Sequence, residues 1–382
     1  MFLPVLLVRD FGDASWWAFA LPNVIGAAAV GFVWKNAAAS RAVERKHGRA
    51  MLAFSVATLA LHGFVIAAWL PALFGAEWAV AAVAGAVAVA AAAKWRWAAI
   101  GLGVLVAIVS LGVFGYWQQD AYFRIWSLDL PIPNRLGNAD LLAMAPALAF
   151  GFVMCPHLDL TLHRARRHTS PNAGRIAFAL GFLVVFTVMI AFSLMYAPLL
   201  RPMFSPRLAF NLVPALMISL AIHVTVQAAF TTGLHLRETA RLGGQRGLII
   251  AALITLLGFA LGLTLRPDDL AGVESTRIDA GEIAYRLLLV LYGLPFPLYV
   301  LLFLTPISKR ATPRLRGGVA LAAGGLGTPF AILGMVTAET RWLFGVYGVV
   351  LIAAGVVWWR PRLVQEKAAT LRPIEKGPNH GV

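Results

Sequence analysis

Eleven long apolar runs, separated by short charged segments, leave this chain few folds to choose from. They cover about 14–34, 51–73, 78–93, 97–117, 139–158, 176–199, 208–235, 248–264, 282–305, 317–337 and 341–359. Hydrocarbon roughly 30 Å thick takes about 20 apolar residues of helix to cross. Most of the runs are that long; 78–93 needs its Trp and Lys flanks at the interfaces. Within hydrocarbon every backbone N–H and C=O must be paired, and a helix pairs them internally. The expected fold is therefore all-α and polytopic, with about eleven transmembrane helices in a single domain over 1–359. The segment 360–382 reads as a basic, disordered tail.

Composition agrees. Sixty per cent of the 382 residues are hydrophobic and 13% are charged, outside the range of soluble domains. The net charge of +15 could suggest nucleic acid, but the charge sits between apolar runs, which is the membrane pattern. The seventeen acidic residues fall between runs or at their ends. The lone Cys155 excludes an intramolecular disulfide. The first run follows Arg9, Asp10 and Asp13 and lacks the basic start of a signal peptide.

Charge also sets an orientation. The segments 35–50, 94–96, 159–175, 236–247, 306–316 and 360–382 hold 23 Lys and Arg, and the alternate set holds 8. Lysine and arginine accumulate on the cytoplasmic side. This predicts an outside N-terminus, a cytoplasmic C-terminus and residence in a bacterial cytoplasmic membrane. The cluster His163, Arg164, Arg166, Arg167 and His168 then serves to hold its loop in the cytoplasm.

Polar groups within the runs are few, and such groups tend to mark function. His62 lies midway along the second run and His223 midway along the seventh, which also carries Thr225 and Gln227. Asn23 sits beside Pro22 in the first. The fifth contains Gly151 and ends in Pro156 and His157. Each has a structural alternative: threonine can bond its own helix carbonyl, and Asn, Gln or His can bridge helices. Arg286 is expected to snorkel to the outer interface. Gly26 and Gly31, with Ala27, Ala28 and Ala29 between them, offer a small-residue face for close packing. Gly151 and Pro156 mark an expected helix interruption, as in secondary transporters. No nucleotide-binding loop, nucleophile constellation or metal-ligand spacing occurs within a run, so an enzyme is not expected. The expected partners are the lipid bilayer and a small polar solute, with no nucleic acid.

The stretch Phe150-Gly151-Phe152-Val153-Met154-Cys155-Pro156-His157, followed by Arg164 and Ala165, resembles the sodium:solute symporter family. There an aromatic, Gly-rich helix ends in a Gln-Pro-His-like motif. Glu44-Arg45-Lys46-His47-Gly48-Arg49 and Thr231-Thr232-Gly233-Leu234-His235-Leu236-Arg237-Glu238 resemble two further segments of the family. The resemblance implies a LeuT-like inverted-repeat bundle with alternating access. Runs 1, 2, 5 and 7 become core helices two, three, six and eight, and the charge tally gives runs 5 and 7 the direction this requires. The solute would bind among runs 1, 2, 5, 7 and 9, lined by Asn23, His62, His157, His223, Thr225 and Gln227. Two departures follow. Residues 1–13 leave room for only the last two turns of the first core helix, so the chain reads as an N-terminally short gene product, one with a wrongly placed start, or a degenerate relative. The resemblance implies Na+, but the paired hydroxyls of the family's sodium site are reduced to Thr225, a departure that counts against sodium coupling; no cofactor is expected. A non-transporting scaffold or sensor on the same fold is the alternative reading.

Overall fold

The computed structural model describes residues 3–119, 138–200, 214–265, 280–305, 312–336 and 343–370. The backbone of the described residues is almost entirely helical, and every apolar run coincides with helix over its described residues. Eight helices are long and apolar enough to cross a membrane. The chain is an α-helical integral membrane protein. Two of the runs occupy shorter apolar helices, Ala76–Ala92 and Gly345–Val356. Two others lie in one element, Pro214–Thr264, which is why eight such helices stand where eleven are expected.

The chain opens with α1 (Leu3–Phe11), too short to span. Gly12, at φ 75°, ends it. A positive φ suits glycine because no Cβ clashes there, and the Ser15 hydroxyl donates to the Gly12 carbonyl at 2.6 Å. The turn places α1 directly against α2 (Ala14–Val33). Then come α3 (Ala37–Phe74), capped by the Asn36 side chain and kinked at His47, α4 (Ala76–Ala92) and α5 (Arg96–Trp117). Next is α6 (Asn138–Met154), followed by a 3₁₀ turn (Cys155–Leu158) and α7 (Leu160–Arg167). One span joins α8 (Pro171–Phe178) to α9 (Thr187–Leu200) through a π-helical stretch.

Helix α10 (Pro214–Thr264) is a hairpin. Gly244 takes φ 60° and ψ −154° inside it. A Cβ on Gly247 would lie 3.1 Å from the Thr239 carbonyl oxygen, whereas eight residues of straight helix advance about 12 Å. The chain therefore doubles back, and both arms pack on α3. His235 of the first arm meets the Ser55 hydroxyl at 3.2 Å. On the second arm, Gly258 and Gly262 press on the Ala60 and Phe64 carbonyls, and Gly63 returns the contact at Thr255. Small residues let two helix backbones approach this closely where lipid supplies no hydrophobic drive. Gly26 of α2 similarly packs on Phe152 and Val153 of α6, while Gly31 meets Phe178.

The last helices are α11 (Ala280–Gly293) with α12 (Pro295–Tyr299), α13 (Pro313–Val319) with α14 (Gly327–Val336), and α15 (Leu343–Thr370). Helix α15 continues through residues 360–370 of the segment read as tail; 371–382 lie outside the described residues. So do most of the polar stretches 118–138 and 265–281. Apolar side chains such as Trp97, Ile108, Leu253, Leu256 and Leu321 point outward, each at least 60% exposed. A bilayer covers such a surface; water does not.

Candidate functional site

Between the helices lies a central, partly open cavity of about 340 Å³. Its wall is built from α1, α2, α3, α6, α9, the first arm of α10, α11, α14 and α15. Asn23, His223, Gln227 and Gly151 border it. His223 and Gln227 are four residues apart and share a helix face. Thr225 lies about 200° round from His223, and its buried hydroxyl has no partner among the described residues.

Three more sequence-derived candidates fall outside the cavity wall. His62 donates from Nδ1 to the Thr58 carbonyl one turn back, at 2.8 Å, so that nitrogen is bonded within its own helix. His157 packs edge-on against Trp34 in the 3₁₀ turn. Pro156 opens that turn, so it marks a helix end. Gly151 is no interruption either: α6 runs unbroken past it, and a Cβ there would lie 2.7 Å from the Tyr292 carbonyl oxygen of α11. The helix break at the cavity is elsewhere. Leu294, at φ −130° and ψ −72°, separates α11 from α12 ahead of Pro295 and Pro297. The freed carbonyls find side-chain donors: Cys155 Sγ donates to Tyr292 O at 3.2 Å, and the Tyr347 hydroxyl donates to Gly293 O. Tyr292, Gly293 and Leu294 all border the cavity.

At one end of the cavity Arg9, Asp10, Glu282 and Arg286 form a buried quartet. Arg9 forks onto Glu282 at 2.7 and 2.8 Å and donates to Asp10 at 2.8 Å. Arg286 donates to Asp10 and Glu282, each at 2.7 Å. Arg286 is 7% exposed, which overturns the expected snorkelling: two carboxylates hold its charge inside the protein. Burial works against the Arg9 charge, but its bonds to Glu282 and Asp10 outweigh that and hold its pKa above the ordinary arginine value.

Towards the opposite ends of α3 and α10 lies a second cluster. Glu238 accepts from Arg164 at 3.0 Å, Arg167 at 2.8 Å and Arg241 at 2.7 Å. Glu44 pairs with Arg167, and with Arg241 at 3.0 Å. Arg166, fully buried, donates to the Trp34 carbonyl at 2.7 Å, to the Lys35 carbonyl and to Thr169 Oγ1 at 3.0 Å. It thereby ties the end of α2 to the α7–α8 turn. The basic cluster read as a loop anchor is thus a packed tie between α2, α3, α7 and α10. Beside it His163 Nε2 donates to the His157 carbonyl at 3.1 Å, leaving Nδ1 to accept from Ser40 at 2.8 Å. Burial pushes the His163 pKa below its ordinary value, against the pull of the His157 carbonyl and of Asp159.

Sequence reasoning missed the quartet because its members are far apart in the chain. The available signal was Glu282 and Arg286 at i, i+4 on one run, opposite the Arg9–Asp10 pair. No protein-family model, no curated protein and no solved structure matches this chain.

Proposed function

We propose that the protein is a secondary transporter, or a transporter-like solute receptor, that holds one small solute in the central cavity. One observation carries the reading: a cavity among the helices with a broken helix in its wall, an ion-paired cluster at one end and a second cluster beyond it near the start of α3. Such a broken helix is where transporters place their ligands. The two ion-paired clusters can act as barriers that open in turn, because each is a set of discrete contacts that can be exchanged for water. On this reading the Arg9 end faces outside and the Glu238 end the cytoplasm, as the charge tally leads one to expect. The likeness to sodium:solute symporters supports the same reading. Gly151, in its motif, borders the cavity.

Purified protein in liposomes, given a solute panel with and without a sodium gradient, tests this. Accumulation of a solute, abolished when His223 and Gln227 are both replaced by leucine while expression persists, is expected. Binding without movement across the bilayer would convert the reading to a sensor. No uptake and no binding across the panel would remove it.

A further inference from the structure

We propose that the cavity selects a neutral, flat, mainly apolar solute: a bicyclic heteroaromatic carrying one polar edge. The proposal rests on the cavity being a solute site. It departs from a polyhydroxylic or zwitterionic ligand, which the wall does not suit.

Size and surface come first. If each non-hydrogen atom takes about the 30 Å³ of a liquid water, 340 Å³ holds roughly eleven atoms. The wall is largely apolar and aromatic, with Phe19 and Phe152 edge-to-face at 5.0 Å and Phe186 and Tyr292 beside them. Flat rings pack well against such groups.

Charge comes second. Among the described residues, the charged side chains at the wall are Asp10 and Arg286, bonded to each other at 2.7 Å. The quartet sums to zero. A solute carboxylate or ammonium would have to break a buried ion pair to find a partner, and leaving a buried charge unpaired is strongly unfavourable.

Hydrogen-bonding capacity comes third. Gln227 donates to Ser110 at 2.9 Å. Ser193 donates to the Ile190 carbonyl at 2.6 Å and accepts from Trp16 at 3.0 Å. A sugar would bring more hydroxyls than the few polar side chains of this wall can meet, and each unmet one is costly. His223 differs. It is 3% exposed, its Nδ1 has no partner among the described residues, and Phe192 holds its ring edge-on at 4.9 Å. An imidazole at the wall with hydrogen-bonding capacity to spare suits one polar atom on the ligand.

The test uses the whole protein in nanodiscs, with empty nanodiscs as control, titrated with indole (a donor), quinoline (an acceptor), glucose and lysine. Indole or quinoline should bind with the protein present. His223→Phe should weaken that binding roughly tenfold, the loss of one hydrogen bond. Ala331→Phe, which fills the cavity, should abolish it. If a heteroaromatic binds equally well to both variants, or if glucose or lysine binds and neither heteroaromatic does, the proposal is overturned. Glucose or lysine accumulating in liposomes without heteroaromatic binding would leave the transport reading standing and remove only this one. Heteroaromatic binding in the cavity with no solute moved would do the reverse.

Discussion

Arg9 reaches carboxylates on two helices, Asp10 on its own and Glu282 across the cavity end, and both it and Glu282 are buried. Removing one member of such a set strands its partner's charge out of water, at a cost of about 3–5 kcal/mol. Arg9→Met should therefore lower thermal stability sharply. Arg9→Met with Glu282→Met leaves Asp10 and Arg286 paired, so the double variant should lose much less than the two single losses added. Unfolding of the detergent-purified variants checks this; strict additivity would mean the quartet does not act as a unit. His163 supplies a pH dependence. Unfolded, it titrates near 6.5; folded, burial holds its pKa lower. Below about pH 6.5 the unfolded chain binds a proton that the folded chain does not, so stability falls as pH falls through that window. Other buried imidazoles add to the trend in every variant. His163→Gln should thus be less stable at pH 7.5 but lose less between pH 7.5 and 5.5. An identical loss in both proteins would show that the ring does not titrate as its burial implies.

At the scale of elements, contact between α3 and the second arm of α10 depends on missing side chains. A Cβ on Gly258 would run into the Ala60 carbonyl, and one on Gly262 would lie 2.6 Å from that of Phe64. Backbone atoms cannot step aside as a flexible side chain can. Gly258→Val should lower the melting temperature markedly, whereas Gly112→Ala in α5, with nothing within 4 Å, should be neutral or gain up to about 1 kcal/mol from helix propensity. Equal effects would mean that the two arms are not packed this closely. The pair also shows what was readable beforehand. The runs were legible because their length and apolarity are local properties, and the small-residue face of α2 because glycine spacing is local too. The hairpin was legible as two runs flanking Gly243 and Gly244. The cavity wall was legible in part. Asn23, His223 and Gln227 stood out as polar residues in apolar runs, but composition alone kept Thr225, which the helical period puts on the far face. The break at Leu294 could have been read from Pro295 and Pro297. The fate of Arg286 could not, because Asp10, which holds it, is 276 residues away.

For the whole molecule, the decisive question is whether the two ion-pair clusters hold the cavity shut from opposite sides. Cys155, the chain's one cysteine, borders the cavity and is 6% exposed, so its alkylation by an impermeant maleimide reports entry of water. Glu238→Gln removes the carboxylate that Arg164, Arg167 and Arg241 share, and should admit reagent from that side alone. Asp10→Asn loosens Arg9 and Arg286, and should admit it from the other. A shift of about 1.4 kcal/mol in either barrier corresponds to roughly a tenfold rise in labelling rate. Measured in right-side-out and inverted vesicles, with Cys155→Ser as blank, the two variants should gain rate in opposite preparations. If Glu238→Gln gains it in inverted vesicles, the charge-based orientation holds as well. A gain in the same preparation for both variants would mean that the cavity opens by one route only, and alternating access would fall, leaving a one-sided solute receptor.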